Sequence, residues 1–313
     1  MIKKLIFAVI VLYSINLYSQ VNSTYNFLKL EVDARSAALA GSLIATENDV
    51  NMIYYNPACI ATINKPQASL GFFKYLLDIN SGNAAYAQSY NNVGYFGASI
   101  RYVNYGEFEK YDESYNRVGT FSANDLALSV GYANSYEDKL FYGANLKFIY
   151  SSIDEYKSTA VACDLGLLYK VSSYDLNIGI SLLNLGRQLS SYMNTEENLP
   201  LDLRVGAIKK LEYLPLTVSF SFINLTEKTE KFIDRFKYFT VGGEFVLSDY
   251  VMLRGGYDNQ KRQDLKTGTS LGLGGFSAGI GIKYQDKYFF DYSFNSLGKI
   301  GSTHRINLKY ILK

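Results

Sequence analysis

The sequence predicts an all-β fold, a transmembrane barrel of fourteen antiparallel strands with a short N-terminal plug or hatch. Three observations predict it: the composition, an alternating pattern from residue 67 onward, and the lengths of the connections. The chain has 29 Tyr, 19 Phe and 25 Gly but only 4 Pro and no Trp, and Tyr and Phe favour strands. Hydrophobic residues make up 48% of the chain, yet mean hydropathy is only −0.05, so the apolar residues are dispersed.

The first predicted element is a signal peptide over residues 1–19. Two lysines precede the apolar run 5–13, LIFAVIVLY, which is too short to span a bilayer and typical of a signal peptide. The small residue Ser19 precedes Gln20, so cleavage is expected between them. A buried N-terminal strand is the alternative. No Cys stands at this position, which argues against a lipoprotein anchor.

Residues 20–66 form the predicted plug. The small-residue stretch ARSAALAGS, 34–42, predicts a short helix that Gly41 ends, and Asn56-Pro57 is a turn signal. Such a segment either hangs in the periplasm or folds into the barrel, and its apolar content favours folding in. The apolar residues concerned are Leu28, Leu30, Leu39, Leu43, Ile53, Tyr54 and Tyr55.

Residues 67–313 form the predicted barrel. In LFYGANLKFIY, 140–150, apolar side chains take alternate positions while Asn145 and Lys147 lie on the opposite face. Such alternation indicates a strand with one apolar face. The pattern recurs fourteen times, and many repeats reach the roughly 9 to 11 residues that a tilted spanning strand needs. The predicted strands are 67–74, 83–90, 93–105, 122–135, 139–150, 159–171, 174–185, 200–211, 214–224, 236–247, 250–258, 275–285, 287–296 and 302–312.

The predicted connections alternate between long and short. Outer-membrane barrels have tight periplasmic turns and longer outside loops, so both termini are expected in the periplasm and the long loops outside the cell. The predicted long loops are 75–82, 106–121, 151–158, 186–199, 225–235, 259–274 and 297–301.

A secreted soluble β-sandwich is the structural alternative, because it also buries one apolar face of each strand. The other face of these strands carries charges of both signs among small residues, which suits a hydrated or plugged lumen. The charged set is Arg101, Lys147, Arg204, Glu244, Arg254, Lys283, Asp291 and Lys309. Aromatics such as Tyr142 and Tyr288 lie near strand ends, where a lipid interface would place them.

Several function classes are disfavoured. A formal charge of +2 argues against nucleic acid as a partner. His304 is the single His; a Ser-His-acid hydrolase would require it, but it equally suits an ordinary position at a strand start. Cys59 and Cys163 are too few for a disulfide scaffold, and with one His they do not indicate a transition-metal site. No catalytic, metal or cofactor site is predicted, and calcium at loop acids such as Asp154 is a minor alternative.

The long loops are the predicted partner-binding region, because Tyr and Arg dominate interface hot spots. The alternative is that these side chains belong to solvated loops with aromatics at the height of the lipid headgroups. The candidates are Phe108, Tyr111, Tyr115 and Arg117 in 106–121, Tyr192 in 186–199, and Phe232 in 225–235.

An ordered set of segments resembles the PorV/PorQ family, outer-membrane barrels of the type IX secretion system that are similar in fold to the FadL long-chain fatty-acid transporters. The segments are FLKLEVDARSAALAGS, DVNMIYYNPA, YVNYG, GTFSANDLALSVGYA, GANLKFIYSSIDEY and LGKIGSTHRINL. The run 119–156 and the short chain are more similar to the PorQ branch than to the PorV branch. The resemblance implies a fourteen-stranded barrel whose N-terminal plug contains Asn56, Pro57 and Ala58 in a turn.

The resemblance also implies a location and partners. It implies the outer membrane of a Gram-negative bacterium and membership of a surface attachment complex. In that complex the PorQ branch tethers a PorZ-like surface protein beside PorV and the sortase-like PorU. The alternative function is FadL-like transport of hydrophobic molecules, which the charged inner face disfavours. Membrane lipid is the remaining expected partner.

Overall fold

The computed structural model describes residues 25–91, 93–193, 196–229, 231–265 and 272–313. The predicted signal peptide and residues 20–24 lie outside the described residues. Fourteen strands occur in the described chain, as predicted. They are β1 Gln67–Lys74, β2 Asn80–Tyr90, β3 Gly94–Tyr111, β4 Arg117–Tyr136, β5 Leu140–Ile153, β6 Tyr156–Val171, β7 Leu176–Ser190, β8 Asp202–Lys210, β9 Leu216–Phe222, β10 Phe239–Val246, β11 Val251–Asp258, β12 Phe276–Tyr284, β13 Tyr288–Ser296 and β14 Ser302–Ile311.

The strands form a closed antiparallel barrel. Each strand pairs with its neighbours in the chain, and β1 pairs with β14 from Gln67↔Ile311 to Lys74↔His304. Closure satisfies the backbone hydrogen bonds of both terminal strands, which a lipid environment requires. No helix among the described residues is both long and apolar enough to cross a bilayer.

The two faces of the barrel wall differ as the alternation predicts. Arg101 is buried inside, whereas its neighbours Ile100 and Tyr102 point outward and are exposed. The other charged side chains of the predicted inner set alternate with outward apolar ones in the same way. The sandwich alternative is therefore wrong, because the apolar face is the outside of one closed sheet.

The wall has two heights. Strands β3 to β7 have 14 to 20 residues, whereas β8 to β14 have 7 to 10. The ends of the long strands rise at the rim opposite the chain termini. We call this side the tall wall and the β8–β12 side the low wall.

The prediction of long loops at 106–121 and 151–158 is wrong. Strands β3 and β4 continue to Tyr111 and Arg117, and β5 and β6 are joined by only two residues. A register shift between Asn104 and Glu107, where Gly106 has φ +86°, separates the spanning part from an upper two-stranded ribbon, 105–122. Its upper part is exposed on both faces, so it needs no apolar alternation and gave no strand signal.

The plug, residues 25–66, lies inside the barrel. It contains helix α1 Ala34–Ala38 and three 3₁₀ helices, η1 Asn26–Lys29, η2 Val50–Tyr54 and η3 Pro57–Thr62. Helix α1 is shorter than predicted, and Gly41 follows it with φ +74°. The remaining helices are η4 Ser172–Tyr174, η5 Phe232–Lys237 and α2 Asn259–Asp264.

Side-chain caps begin three of the plug helices. Asp33, Asp49 and Asn56 each accept a hydrogen bond from a backbone N–H in the first turn of the helix that follows. Such caps satisfy donors that the helix itself leaves unpaired. Apolar plug residues pack beneath them, including Leu39, Leu43, Ile53 and Tyr55 as the sequence predicts, and also Met52 and Ile60.

Candidate functional site

Asn56 joins two parts of the plug to the wall. Its Nδ2 donates to the carbonyl of Ile44 at 2.8 Å and to that of Leu167 on β6 at 3.0 Å. Its Oδ1 accepts from the N–H of Ala58 at 3.1 Å, and Pro57 starts η3 with the fixed φ that a first helical residue needs. The side chain is fully buried, so the predicted turn is a structural joint of the plug.

Two glycines let this turn approach the wall. A Cβ at Gly143 on β5 would lie 2.7 Å from the carbonyl carbon and oxygen of Pro57. A Cβ at Gly166 on β6 would overlap Oδ1 of Asn56. Only glycine allows the backbones to come this close, so the wall is shaped for the turn.

Buried ion pairs hold the other side of the plug. Arg35 binds both carboxylate oxygens of Glu244 on β10, at 2.9 and 2.7 Å, and Oδ2 of Asp49 at 2.9 Å. Arg254 on β11 binds Glu244 and Asp291, each at 2.6 Å. Forming such a network requires desolvation of its charges, which opposes folding. Removing one member is nevertheless strongly destabilising, because it leaves a charge without a partner. The sequence predicted the wall charges inward but did not single out Arg35 or Asp49.

Side chains of the wall also donate to backbone carbonyls of the plug. These bonds anchor the backbone of the plug to the wall, both within its short helices and between them. The alternating pattern predicted that Arg101 and Asn145 face inward, but no sequence signal gives their acceptors. The bonds run from Arg101 to Phe27 and Leu30, from Asn83 to Val32, from Asn145 to Ile53, from Asn295 to Ala37, and from Arg305 to Glu31.

Cavities of very different size lie between plug and wall. Two inner cavities measure about 50 Å³ beside Glu31 and Arg305 and about 20 Å³ beside Tyr54 and Arg101. A larger cavity of about 390 Å³ opens at the end of the barrel where the short turns lie. Leu39, Leu43, Leu176 and Ile208 line part of it, together with charged and polar side chains such as Glu47, Lys170 and Asn177.

Four of the predicted partner-binding residues lie together on the ribbon. Phe108 and Arg117 are on its two strands, Tyr111 ends β3, and Tyr115 is in the turn with 88% of its surface exposed. Phe108 stacks on Phe121 across the ribbon with ring centroids 5.3 Å apart. The residues therefore form one exposed surface on a strand pair rather than a loop.

The other two candidates lie on separate connections. Tyr192 donates its hydroxyl to Oγ of Ser151 at 2.6 Å, which ties it to the tall wall. Phe232 begins η5 on the low wall and is 69% exposed. The structure therefore does not bring all six predicted residues into one site.

The geometry around His304 lacks a carboxylate partner. Nδ1 of His304 lies 2.7 Å from Oη of Tyr292, and Nε2 lies 3.3 Å from Oγ of Ser302. A hydrolytic triad needs an acid where Tyr292 stands. Across the described residues, no group of three or more His, Cys, Asp or Glu side chains has a metal-binding arrangement. Cys59 and Cys163 are both free thiols.

The family model of the type IX secretion system protein PorV matches residues 18–211, more than half of the chain. A search of curated proteins found no significant match.

Among solved structures, the toluene transporter TbuX of Ralstonia pickettii is 13% identical, with a TM-score of 0.61 over 91% of this chain and 99% of that one. A Pseudomonas aeruginosa FadL homologue is 11% identical, with a TM-score of 0.59 over 90% and 98%. The Pseudomonas putida toluene transporter TodX is 12% identical, with a TM-score of 0.59 over 90% and 97%. At such low identity the likeness shows a FadL-like fold.

Proposed function

This chain belongs to the PorV family of type IX secretion system proteins, and we propose that it is a plugged, non-enzymatic outer-membrane barrel that anchors a surface partner of that system. On the resemblance to the PorQ branch, the partner is a PorZ-like protein of the attachment complex, beside PorU and PorV. The observation that carries the proposal is a lumen filled by a wall-bonded plug beneath an exposed ribbon.

The filled lumen argues for a passive anchor. Arg35 and Asn56 bind plug to wall at two separate strands, β10 and β6. A plug held by charged pairs and by backbone contacts at glycines opens only at a large cost in free energy. The barrel then serves to fix the protein in lipid while its outer rim does the binding.

The ribbon has the features of a docking surface. The pairing of β2 with β3 stops at Asn80↔Asn104, and that of β4 with β5 stops at Ala123↔Ile153. Both edges of the upper ribbon therefore lack a strand neighbour in the described chain. An isolated two-stranded ribbon is marginally stable in water, and free edges with aromatic side chains suit strand addition by a partner.

The proposed orientation has the ribbon outside the cell and both ends of the barrel chain in the periplasm. The short turns lie at the same end as Gln67 and Ile311, which is the arrangement of outer-membrane barrels. A surface-digestion experiment tests it: protease added to whole cells should cut the 112–116 turn and spare the 211–215 turn.

Pull-down from detergent-extracted outer membrane tests the anchor. The wild-type protein should capture its partner, and a Phe108→Ala, Tyr111→Ala, Tyr115→Ala triple variant should release that partner into the medium. Tyr213→Ala is the matched control, because Tyr213 is also 88% exposed but lies at the opposite end. Retention of the partner by the triple variant would remove the ribbon from the proposal, and retention after gene deletion would remove the anchor role.

Transport of a hydrophobic molecule is the second candidate. Its support is the FadL-like fold and the apolar part of the 390 Å³ cavity, lined by Leu39, Leu43, Leu176 and Ile208. Mass spectrometry of molecules extracted from the purified barrel would test it. A bound hydrophobic molecule, or loss of uptake on deletion while the partner stays on the surface, would favour transport over anchoring.

A further inference from the structure

The low wall has short strands and an unusual aromatic surface. β9, β10 and β11 have 7, 8 and 8 residues, fewer than the roughly 9 to 11 that a tilted spanning strand needs. The short 3₁₀ helix η5, Phe232–Lys237, stands between β9 and β10 at the rim opposite the chain termini. It therefore occupies the height at which the neighbouring strands end.

Outward aromatic rings form a continuous band at this height. The band follows four strand ends of the low wall, and outer-membrane barrels have such a girdle at the boundary between acyl chains and headgroups. Its members are Phe220 and Phe222 on β9, Phe239 on β10, Tyr257 on β11 and Phe276 on β12, with centroid distances between neighbours of 4.9 to 6.3 Å.

Helix η5 packs directly on this girdle from the outside. The ring centroids of Phe236 and Phe222 are 5.3 Å apart, and those of Phe232 and Phe236 are 5.8 Å apart. Phe232 and Ile233 nevertheless leave 69% and 66% of their surfaces uncovered. Large apolar side chains exposed beside a lipid-facing band are continuous with the lipid interface rather than with water.

Cations accompany these apolar side chains. The guanidinium of Arg235 lies 5.5 Å from the ring centroid of Phe232, and Lys231 directly precedes η5 and is exposed. Lys237 pairs with Asp234 at 2.7 Å, and Lys231 and Arg235 are the other two basic residues of the segment 231–237. Apolar side chains with basic neighbours are typical of helices that lie in a membrane interface and contact anionic headgroups.

We propose that the rim patch, Phe232, Ile233, Phe236, Lys231 and Arg235, is a lipid-binding surface that docks into the outer leaflet and contacts anionic headgroups. The occupant is lipid because the patch continues the girdle without a break. This assignment removes Phe232 from the partner-binding candidates. It rests on the proposed outer-membrane location and orientation but not on the anchor role, which depends on the tall wall.

The chain has no Trp, so one substitution creates a unique fluorescent probe. The Phe232→Trp protein is reconstituted into phosphatidylcholine–phosphatidylglycerol vesicles with brominated acyl chains. Its emission should be blue-shifted and quenched by the bromine. Leu146→Trp on the lipid face of β5 is the quenched control, and Tyr115→Trp in the ribbon turn is the unquenched control.

Each outcome decides for or against the proposal. Quenching of Phe232→Trp well above that of Tyr115→Trp supports the proposal. Quenching equal to that of Tyr115→Trp overturns it, as does a probe that becomes shielded only after outer-membrane proteins are added. Adding Lys231→Glu and Arg235→Glu should weaken the quenching in phosphatidylglycerol vesicles and not in pure phosphatidylcholine, whereas Lys157→Glu on the ribbon side should change neither. An equal effect in both lipids would overturn the headgroup contact.

Discussion

Arg35 and Glu244 are 209 residues apart in the chain and form a two-bond ion pair between plug and wall, at 2.9 and 2.7 Å. Each member has a further partner, Asp49 for Arg35 and Arg254 for Glu244. The pair therefore links the plug carboxylate to the wall guanidinium through one continuous network. A planar fork on a carboxylate fixes orientation as well as distance.

Removing the shared carboxylate should loosen the plug. Glu244→Gln leaves the partly buried charge of Arg35 and the buried charge of Arg254 with one carboxylate each, so we expect a loss of about 3 kcal/mol in the free energy of unfolding. The measurement is urea-induced unfolding in detergent micelles. Glu109→Gln is the control, since Glu109 pairs with Arg117 on the exposed ribbon and such pairs contribute little. Equal midpoints for both variants would mean that the network does not stabilise the plug.

The Asn56 joint should be sensitive to truncation. Asn56→Ala removes a helix cap and leaves the buried carbonyls of Ile44 and Leu167 without this donor. We expect a loss of about 2 to 4 kcal/mol, the sum of cap and desolvation costs. Asn64→Ala is the control, because Asn64 is exposed in the same segment. Unfolding midpoints that shift equally for the two variants would contradict a structural role for the joint.

The sequence predicted the parts of the fold that obey a local period. The limits of β1 are those predicted, 67–74, because a strand between lipid and lumen must alternate. The ribbon was missed because charged and aromatic side chains mix on its two exposed faces: Phe108 and Lys110 share one, and Glu107 and Glu109 share the other. A polar loop has the same composition. Alternation of apolar and polar residues cannot reveal a strand whose two faces both contact water.

The plug shows a second limit of prediction from the sequence. Its small and apolar residues and the Asn56-Pro57 pair predicted a folded segment with a turn. Its docking depends on pairs such as Arg35–Glu244, which no spacing along the chain encodes. Arg254 was predicted to face inward, but its partners follow only from which strands meet across the barrel. The residues that bind plug to wall therefore required the three-dimensional structure.

The contact between Glu31 and Lys261 should depend on pH. Burial disfavours the charged carboxylate, but Lys261 and Arg305 outweigh it and lower the pKa of Glu31 from 4.5 to about 2. Because the folded-state pKa is the lower one, the carboxylate stabilises the fold above about pH 4.5, and this contribution is lost as the pH falls towards 2.

Comparison with the Glu31→Gln variant checks the direction of this pH dependence. The wild-type protein should be more stable near neutral pH, by an amount on the order of 3 kcal/mol for a shift of this size. The two unfolding curves in detergent should converge as the pH approaches 2. A constant difference over the acid range, or a larger one at low pH, would contradict the assignment.

Cys59 should report opening of the plug. It is fully buried in η3, and burial raises the pKa of its thiol. In a Cys163→Ser background, a polar maleimide should label it at least about a hundredfold more slowly in the folded than in the unfolded protein, as an opening cost of about 3 kcal/mol requires. Asn56→Ala should accelerate labelling and Asn64→Ala should not. Rapid labelling of the folded parent would show that the plug leaves the barrel readily.

The lumen should open when the plug cannot pack against the wall. A fourteen-stranded barrel is wider than the eight strands whose own side chains fill the interior, so loss of the plug opens a water-filled path. Gly166→Val places methyl groups where Asn56 and Ala58 now lie. Gly255→Val is the matched control, since nothing lies within 4 Å of a Cβ there. In planar bilayers the wild type and Gly255→Val should show no steady ion conductance, because the cavity of about 390 Å³ opens at the end with the short turns and the cavities beside Glu31 and Tyr54 hold only about 50 and 20 Å³. Gly166→Val should conduct and should expose Cys59 to maleimide.

Steady conductance by the wild type would show instead that the plug leaves a path for ions and would favour transport over passive anchoring.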